Sequence, residues 1–280
     1  MLENFFALLG LASEPTNNLP DLALLQIYSA PQLVQFSEPV VAAKSAIIVD
    51  LDSGKVLWSK NSQAQLPIAS LTKLMTAIVA RENYNLADVV EVSPNASEQP
   101  PAKIWLRAGE KMTVGNLLKG MLIESANDAA TALAEKMGTE KFVAQMNTKA
   151  AELNLQNSHF ANPVGYDDEN NFSTTRDLAT LAQYFLRDEF LREIAATGKT
   201  GIDPVSGGTH HELYSTNNLF GSYLKIRGLK TGLTDAAGEC TATVAELTNG
   251  KKVLAIVLNS PNRFQEAKSL IAWAEANFRW

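Results

Sequence analysis

The sequence predicts an α+β protein in which strands from both ends of the chain form one antiparallel sheet and the helices lie between them. Apolar runs flanking turn residues near positions 50 and 250 predict the strands, and helical periodicity predicts the segments between them. The chain has 280 residues, of which 46% are hydrophobic and 19% charged. It is therefore long enough to bury a core as one large domain or two small ones.

Two β-hairpins are predicted. The first turns at Asp52-Ser53-Gly54 and the second at Asn249-Gly250, a dipeptide that tolerates positive φ in a tight turn. The apolar runs that flank these turns and predict the strands are 46–51, 56–59, 241–245 and 253–258.

Three amphipathic helices are predicted from apolar residues at helical spacing. These residues are Leu71, Leu74, Met75, Ile78 and Val79, then Val114, Leu117, Leu118, Met121 and Leu122, and finally Phe264, Ala267, Leu270, Ile271, Ala274 and Phe278. The last helix lacks a basic polar face, so packing on the sheet is favoured over a membrane-surface role.

Composition argues against several classes of function. The net charge of −6 comes without a basic patch, which argues against a nucleic-acid partner. The single Cys240 cannot form an intrachain disulfide and is predicted to be a small buried residue on a strand. His159, His210 and His211 lack metal-ligand spacing, so neither a metal nor a cofactor is expected.

Residues 1–42 are predicted to be an N-terminal extension with one short helix, and residues 43–280 the main domain. The first basic residue is Lys44, so the positive region of a secretory signal is not visible. The apolar run 5–12 is too short to span a bilayer, which takes about 20 residues. We therefore expect no membrane anchor in this sequence.

Ser70 and Lys73 are the first candidate catalytic pair, because residues three apart on a helix share a face. The alternative is a serine that caps the helix. A capping box would place Glu or Gln at position 73, whereas a lysine there opposes the helix dipole. A lysine with a pKa lowered by burial or by positive neighbours can act as a base.

Two further motifs follow in order, Ser125-Ala126-Asn127 and Lys230-Thr231-Gly232. Ser-x-x-Lys, Ser-Asp-Asn and Lys-Thr-Gly occur together in β-lactamases and penicillin-binding proteins, although alanine is the middle residue of the second motif here. Taken separately, these residues have an alternative interpretation as loop, capping or exposed strand-end residues. Their order favours an active site.

Around these motifs the chain resembles the low-molecular-mass D-alanyl-D-alanine carboxypeptidases, which are penicillin-binding serine peptidases. The similar segments run from about Ser45 to the C-terminus and include 66–77, 124–130, 160–168, 173–178 and 228–238. The resemblance implies a β-lactamase/transpeptidase-like fold, with a five-stranded antiparallel sheet packed by helices and an all-helical subdomain carrying the Ser-x-Asn motif. Residues 43–280 would be the catalytic domain.

The resemblance assigns the catalytic roles. Ser70 would attack the carbonyl of the terminal D-Ala-D-Ala bond, Lys73 would take its proton, and Ser125 would relay a proton to the leaving amine. The backbone amides of Ser70 and Leu233 would form the oxyanion hole, whose donors stabilise charge that appears only in the transition state.

The resemblance also assigns the substrate-binding residues Asn127, Lys230, Thr231, Gly232, Leu233 and Arg263. Asn127 would hold the substrate amide, and Lys230 with Thr231 would bind the terminal carboxylate. Arg263 matches a carboxylate-binding arginine more loosely, and its alternative is a solvated arginine in a loop.

The implied activity is that of a D-Ala-D-Ala carboxypeptidase on peptidoglycan stem peptides, outside the cytoplasm, with β-lactams as covalent inhibitors. The alternatives are a D,D-endopeptidase, a class A-like β-lactamase using a carboxylate of the loop 167–169, and a non-catalytic penicillin sensor. Glu124 and the run Val164-Gly165-Tyr166 depart from the family pattern, which usually has a neutral residue and His-Gly-Leu.

Overall fold

The computed structural model describes residues 30–35, 37–205 and 207–280. In chain order the strands are β1 (Gln32–Leu33), β2 (Ser45–Asp50), β3 (Val56–Lys60), β4 (Leu66–Pro67), β5 (Val89–Glu91), β6 (Lys111–Thr113), β7 (Phe172–Ser173), β8 (Lys199–Ile202), β9 (His211–Tyr214), β10 (Lys225–Thr234), β11 (Gly238–Glu246), β12 (Lys252–Ser260) and β13 (Phe278–Arg279). The α-helices are α1 (Lys73–Asn83), α2 (Pro94–Ser97), α3 (Val114–Ile123), α4 (Asn127–Glu135), α5 (Thr139–Glu152), α6 (Thr175–Phe185), α7 (Glu189–Ala195) and α8 (Arg263–Asn277).

The main sheet has five antiparallel strands in the order β10-β11-β12-β2-β3, which confirms the predicted fold class. Both predicted hairpins are present, with Ile48 opposite Trp58 and Val244 opposite Leu254. β2 pairs with β12, so a strand near residue 50 lies beside one near residue 255. Because both faces of β2 are covered, it is a nearly continuous apolar run.

The sheet separates two hydrophobic cores, and successive residues of β2 contribute to them in turn. Ile47 and Val49 belong to the core shared with α1, α3, α4 and α6, whereas Ala46 and Ile48 belong to the core under α8. This alternation follows from the two-residue period of a strand. α8 therefore packs on the sheet, as its apolar residues predict.

The helical subdomain places the Ser-x-Asn motif between two buried helices. The Thr113 hydroxyl accepts a hydrogen bond from Asn116 N at 3.1 Å and caps the start of α3. α3 ends at Ile123 and α4 begins at Asn127, so Glu124, Ser125 and Ala126 form the connection. The helix predicted from Ser70 begins later, at Lys73, after a short 3-10 helix over Ala69–Thr72.

Residues 1–29, with most of the predicted N-terminal extension and its short helix, lie outside the described residues. The described part of the extension contacts the C-terminal end of the chain. Gln32 in β1 pairs with Arg279 in β13, and the backbone N–H groups of Ala42 and Ala43 donate to the buried carboxylate of Glu266. The division at 42/43 stays a prediction.

One prediction about a single residue is confirmed. Cys240 is buried on β11, where burial raises the pKa of its thiol to about 11. His210 is exposed whereas the adjacent His211 is buried on β9. Within the described ranges, no helix has the length and apolar character that crossing a membrane requires.

Replacing Glu266 by alanine should destabilise the fold, because its carboxylate accepts hydrogen bonds from Ala43 N at 3.1 Å and Ser260 Oγ at 2.5 Å. We expect the free energy of unfolding to fall by about 2 to 4 kcal/mol, since buried donors lose a charged acceptor. Urea denaturation measures this change in the free energy of unfolding. The exposed Glu193→Ala should change stability by less than about 0.5 kcal/mol, and an equal loss in both variants would contradict the assignment.

Candidate active site

Ser70 lies within the 3-10 helix that precedes α1, and the backbone there is strained. Ala69, immediately before it, has φ of +48°, a left-handed conformation that residues with a Cβ rarely adopt. The cap positions of the two adjoining helices are Ile68 and Thr72, so Ser70 does not cap a helix. The Ser70 side chain is half-buried and its hydroxyl faces Lys73.

Lys73 is completely buried, with 0% of its surface exposed. Its Nζ atom lies 2.9 Å from Ser70 Oγ, 2.8 Å from Asn127 Oδ1 and 2.7 Å from Val164 O. A neutral amine has two N–H donors and one lone pair. Because the amide and backbone oxygens can only accept, the neutral amine donates to them and directs its lone pair at the Ser70 hydroxyl.

Electrostatics favours this neutral form. Burial, followed by the positive charge of Lys230, lowers the pKa of Lys73 well below its usual value, and the Asp128 carboxylate opposes that shift. Burial, followed by the charge of Arg263, also lowers the pKa of Lys230, to about 7. The structure therefore places a base beside a serine hydroxyl.

Ser125 and Asn127 project from the connection between α3 and α4. Ser125 has φ of +63°, and the N-cap position of α4 belongs to Ala126, so Ser125 is not a helix cap. Asn127 Oδ1 accepts from Lys73, and its Nδ2 donates to Pro100 O at 3.0 Å. In this structure the Asn127 amide thus positions the base, and its predicted hold on a substrate amide stays a prediction.

Lys230 and Thr231 lie on β10 and are buried, so the interpretation of this motif as an exposed strand end is wrong. Lys230 is 1% exposed, and its ammonium donates to Thr231 O at 3.0 Å, behind the cleft surface. Thr231 Oγ1 shares a 2.7 Å hydrogen bond with Thr216 Oγ1, which lies on the segment after β9. The carboxylate-binding role of Lys230 stays a prediction.

Two glycines let backbone segments approach the nucleophile. A Cβ atom on Gly232 would lie 2.9 Å from Ser70 N, and one on Gly165 would lie 2.0 Å from Ala69 O. Gly165 also has φ of +91°, which favours glycine. β10 and the loop of Gly165 therefore touch the Ser70 turn directly, which explains why both positions lack a side chain.

Arg263 is the first residue of α8 and reaches the same strand. Its Nη1 donates to Gly232 O at 2.6 Å, and its backbone N–H donates to Glu239 Oε2 at 2.9 Å. The buried Nε has no acceptor among the described residues. Arg263 is thus a half-buried part of the cleft wall, and the solvated-loop alternative is wrong.

A cleft of about 220 Å³ brings together all of the predicted site residues except the buried Lys73 and Lys230. It is lined by Ser70, Pro101, Ala102, Ser125, Asn127, Val164, Gly165, Tyr166, Thr216, Thr231, Gly232, Leu233, Thr234 and Arg263. A larger cavity of about 730 Å³ extends from the turn after β2 to Arg227 and Lys252, near the opposite ends of the strands. The smaller cleft is the candidate active site because it is lined by Ser70, whose hydroxyl is 2.9 Å from Lys73 Nζ.

Residues that the motifs do not include also shape the cleft. The Tyr166 hydroxyl donates to Gln99 Oε1 at 2.8 Å, and burial raises the pKa of Tyr166 to about 12. Asp167 accepts from Thr234 Oγ1 at 2.5 Å and from Ala236 N at 3.1 Å, joining its loop to the end of β10. In the sequence, Tyr166 is marked by its departure from the family pattern. Asp167 is marked only as a carboxylate of the loop 167–169.

The family model described as D-alanyl-D-alanine carboxypeptidase matches residues 32–262 of this chain. The chain is 36% identical to the D-alanyl-D-alanine carboxypeptidase DacF of Bacillus subtilis over 229 residues, which cover 79% of the chain and 58% of that protein. It is 32% identical to DacC of Escherichia coli over 266 residues, covering 88% and 64% respectively. The matches thus span about three fifths of the length of these relatives.

Solved structures of similar shape agree with these matches. The DD-transpeptidase of Streptomyces K15 superposes with a TM-score of 0.81 at 30% identity, covering 86% of this chain and all of that one. A penicillin-binding protein homologue from Mycobacterium tuberculosis superposes with a TM-score of 0.81 at 27% identity, covering 88% and 96%. The predicted transpeptidase-like fold is confirmed.

The reactivity of Ser70 should depend on the protonation of Lys73. Below the lowered pKa of Lys73 its lone pair binds a proton, so acylation by benzylpenicillin should slow as the solution is acidified through that pKa. Lys73→Arg should lose roughly 100-fold or more in rate, because arginine stays protonated. Stopped-flow acylation across pH measures both effects.

The exposed Lys252→Arg is the control and should keep the wild-type profile. A near-wild-type rate in Lys73→Arg would show that another group removes the Ser70 proton.

Proposed function

Because the chain belongs to the D-alanyl-D-alanine carboxypeptidase family, we propose that it is a serine peptidase that removes the terminal D-alanine from peptidoglycan stem peptides ending in D-Ala-D-Ala. The observation that carries this proposal is the 2.9 Å contact between Ser70 Oγ and the Nζ of the buried Lys73. We place the activity outside the cytoplasm, where cell-wall peptides are found. The Ser70, Lys73 and Ser125 roles below are part of the proposal.

In the acylation step, Ser70 Oγ bonds to the carbonyl carbon of the penultimate D-Ala while its proton moves to Lys73 Nζ. The backbone amides of Ser70 and Leu233 stabilise the negative charge on the carbonyl oxygen. The C–N bond then breaks, and the leaving D-alanine amine takes the proton that Lys73 had accepted, relayed through Ser125. Water hydrolyses the resulting ester and regenerates the serine.

The free carboxylate of the substrate would be bound on the β10 side of the cleft. Thr231 and Arg263 both line this side, and the unpaired Arg263 Nε is a buried donor. The cationic form of Lys230, 1% exposed behind the wall, adds attraction. This recognition of a free terminus distinguishes a carboxypeptidase from an endopeptidase.

Two alternatives are less well supported. A class A-like β-lactamase would need a carboxylate that directs water at the acyl-enzyme. Asp167 instead binds Thr234 and Ala236, and Asp168 accepts from Asn170 N at 2.7 Å. A non-catalytic sensor would not require the intact contact between Lys73 and Ser70.

One of the similar solved structures is named a DD-transpeptidase. A separate question is therefore whether the acyl group passes to water or to an amine. Comparing hydrolysis with transfer to an added amine, by mass spectrometry of the products, measures whether water or an amine takes the acyl group.

Benzylpenicillin should acylate the protein at Ser70 alone, because this hydroxyl is hydrogen-bonded to the buried Lys73 amine. Intact-mass spectrometry and peptide mapping identify the adduct. Ser70→Ala should abolish it, while Ser222→Ala, before β10, should not. An adduct on another residue would refute the assignment of the nucleophile.

Arg263→Ala should lower kcat/KM for a substrate with a free terminal carboxylate by roughly 10- to 150-fold, from a loss of about 1.5 to 3 kcal/mol for a charge-assisted contact. Arg263→Lys should retain part of the activity, and Arg227→Ala, paired with Glu246 on the exposed surface, should retain all of it.

Amidation of the terminal carboxylate should cause a similar loss in the native enzyme and little further loss in Arg263→Ala, since both changes remove one interaction. Additive losses would place the action of Arg263 elsewhere. Equal turnover of free and amidated termini by the native enzyme would favour an endopeptidase.

A further inference from the structure

Trp105 is presented to solvent next to the cleft in an unfavourable conformation. Its side chain is 66% exposed, and its φ is +62°, in the left-handed region. A glycine or asparagine would adopt this backbone more readily, and an exposed indole adds little to the hydrophobic core. Strain of this kind persists where the surroundings impose it, and it is concentrated at functional sites.

The surroundings of Trp105 fix its position firmly. Its neighbours Ile104 and Leu106 are buried, and their backbone N–H groups donate to the two carboxylate oxygens of Asp128 at 3.3 and 3.0 Å. His211 Nδ1 contacts Ile104 O at 2.9 Å. Asp128 directly follows Asn127, so the segment that turns Trp105 outward is attached to the residue that positions the base.

The segment also forms part of the cleft. Ala102 lines it, and Ala102 O accepts from Asn127 N at 2.8 Å. Three residues span at most about 10 Å, so the exposed Trp105 lies within that distance of the cleft lining, on the side called the rim here. This rim is on the Asn127 side, whereas Arg263 and Thr231 line the β10 side. A peptide whose terminal carboxylate lies against β10, and whose preceding residues cross to the Asn127 side, would pass close to Trp105.

One face of the indole already has a cation beside it. Lys103 Nζ lies 4.7 Å from the centre of the Trp105 ring and donates to Ser97 O at 3.0 Å. This arrangement offers a flat apolar surface next to an ammonium group. Such a pair suits a ligand with a methylene chain beside a carboxylate.

We propose that Trp105 and Lys103 form a subsite for the part of the stem peptide that precedes D-Ala-D-Ala. The indole packs on the methylene chain of the diamino acid, and the ammonium pairs with the α-carboxylate of the γ-linked D-glutamate. This subsite rests on the proposed function and adds to it a preference for the longer peptide. It has no part in bond breaking.

The test compares D-Ala release from N-acetyl-D-Ala-D-Ala and from L-Ala-γ-D-Glu-L-Lys-D-Ala-D-Ala. Trp105→Ala should lower kcat/KM for the pentapeptide by roughly 3- to 10-fold, the loss of one aromatic contact. Turnover of the short peptide and acylation by benzylpenicillin should stay within about twofold of the native values, since neither reaches the rim. Tyr223→Ala, which removes another exposed aromatic side chain at 78% exposure, is the matched control.

Lys103→Gln separates the two halves of the subsite. It should lower kcat/KM for the pentapeptide but have little effect when the D-glutamate α-carboxylate is amidated. Equal losses on the short and long peptides in Trp105→Ala would overturn the proposal, because they would indicate distortion of the cleft. An undiminished rate on the pentapeptide would overturn it as well.

A binding measurement separates this proposal from the proposed function. Ser70→Ala should bind the pentapeptide in calorimetry, and adding Trp105→Ala should weaken that binding by the same factor. If the native protein releases no D-alanine yet binding depends on Trp105, the activity is refuted and the subsite stands. If the native protein releases D-alanine and Trp105→Ala does not change binding, only the subsite is refuted.

Discussion

The buried amine of Lys73 joins the three parts of the molecule that make the site. Its hydrogen bonds reach the Ser70 turn, Asn127 at the start of α4 and the backbone of the loop at Val164. A buried ammonium is costly unless it is paired. Here the amine loses its proton more easily instead, so the interaction that assembles the site also makes the base.

Two neighbouring charged groups shift the pKa of Lys73 in opposite directions. Lys230 lowers the pKa of Lys73, and Asp128 opposes the shift. The Asp128 carboxylate is itself buried and accepts from the backbone N–H groups of Ile104, Leu106 and Ala129. Burial raises the pKa of Asp128, and these backbone donors oppose that rise by stabilising its carboxylate form.

The sequence predicted those elements whose signals are local. Asn249-Gly250 and the flanking apolar runs predict a hairpin because turn chemistry and strand period act over a few residues. The sequence predicts a helix from Ser70, whereas α1 begins three residues later, at Lys73. The strained backbone at Ala69, which precedes it, depends on tertiary contacts. The proposed catalytic residues were predicted from three motifs in order. Contacts such as that of Gly165 with Ala69, 96 positions away, leave no local pattern. The same holds for the hydrogen bond between Ile104, beside Trp105, and Asp128, which is 24 positions away.

The close approach of Gly165 and Gly232 to the Ser70 turn limits how this cleft can vary. When a bulky acylating drug selects for resistant variants, larger residues at these two positions are disfavoured. Each added side chain would collide with the backbone that holds the nucleophile. Substitutions that change the cleft are then directed to side chains on its perimeter, those of Tyr166, Leu233 and Trp105. Differences in drug susceptibility among related enzymes should therefore follow the side chains of that perimeter while the backbone around the serine stays the same.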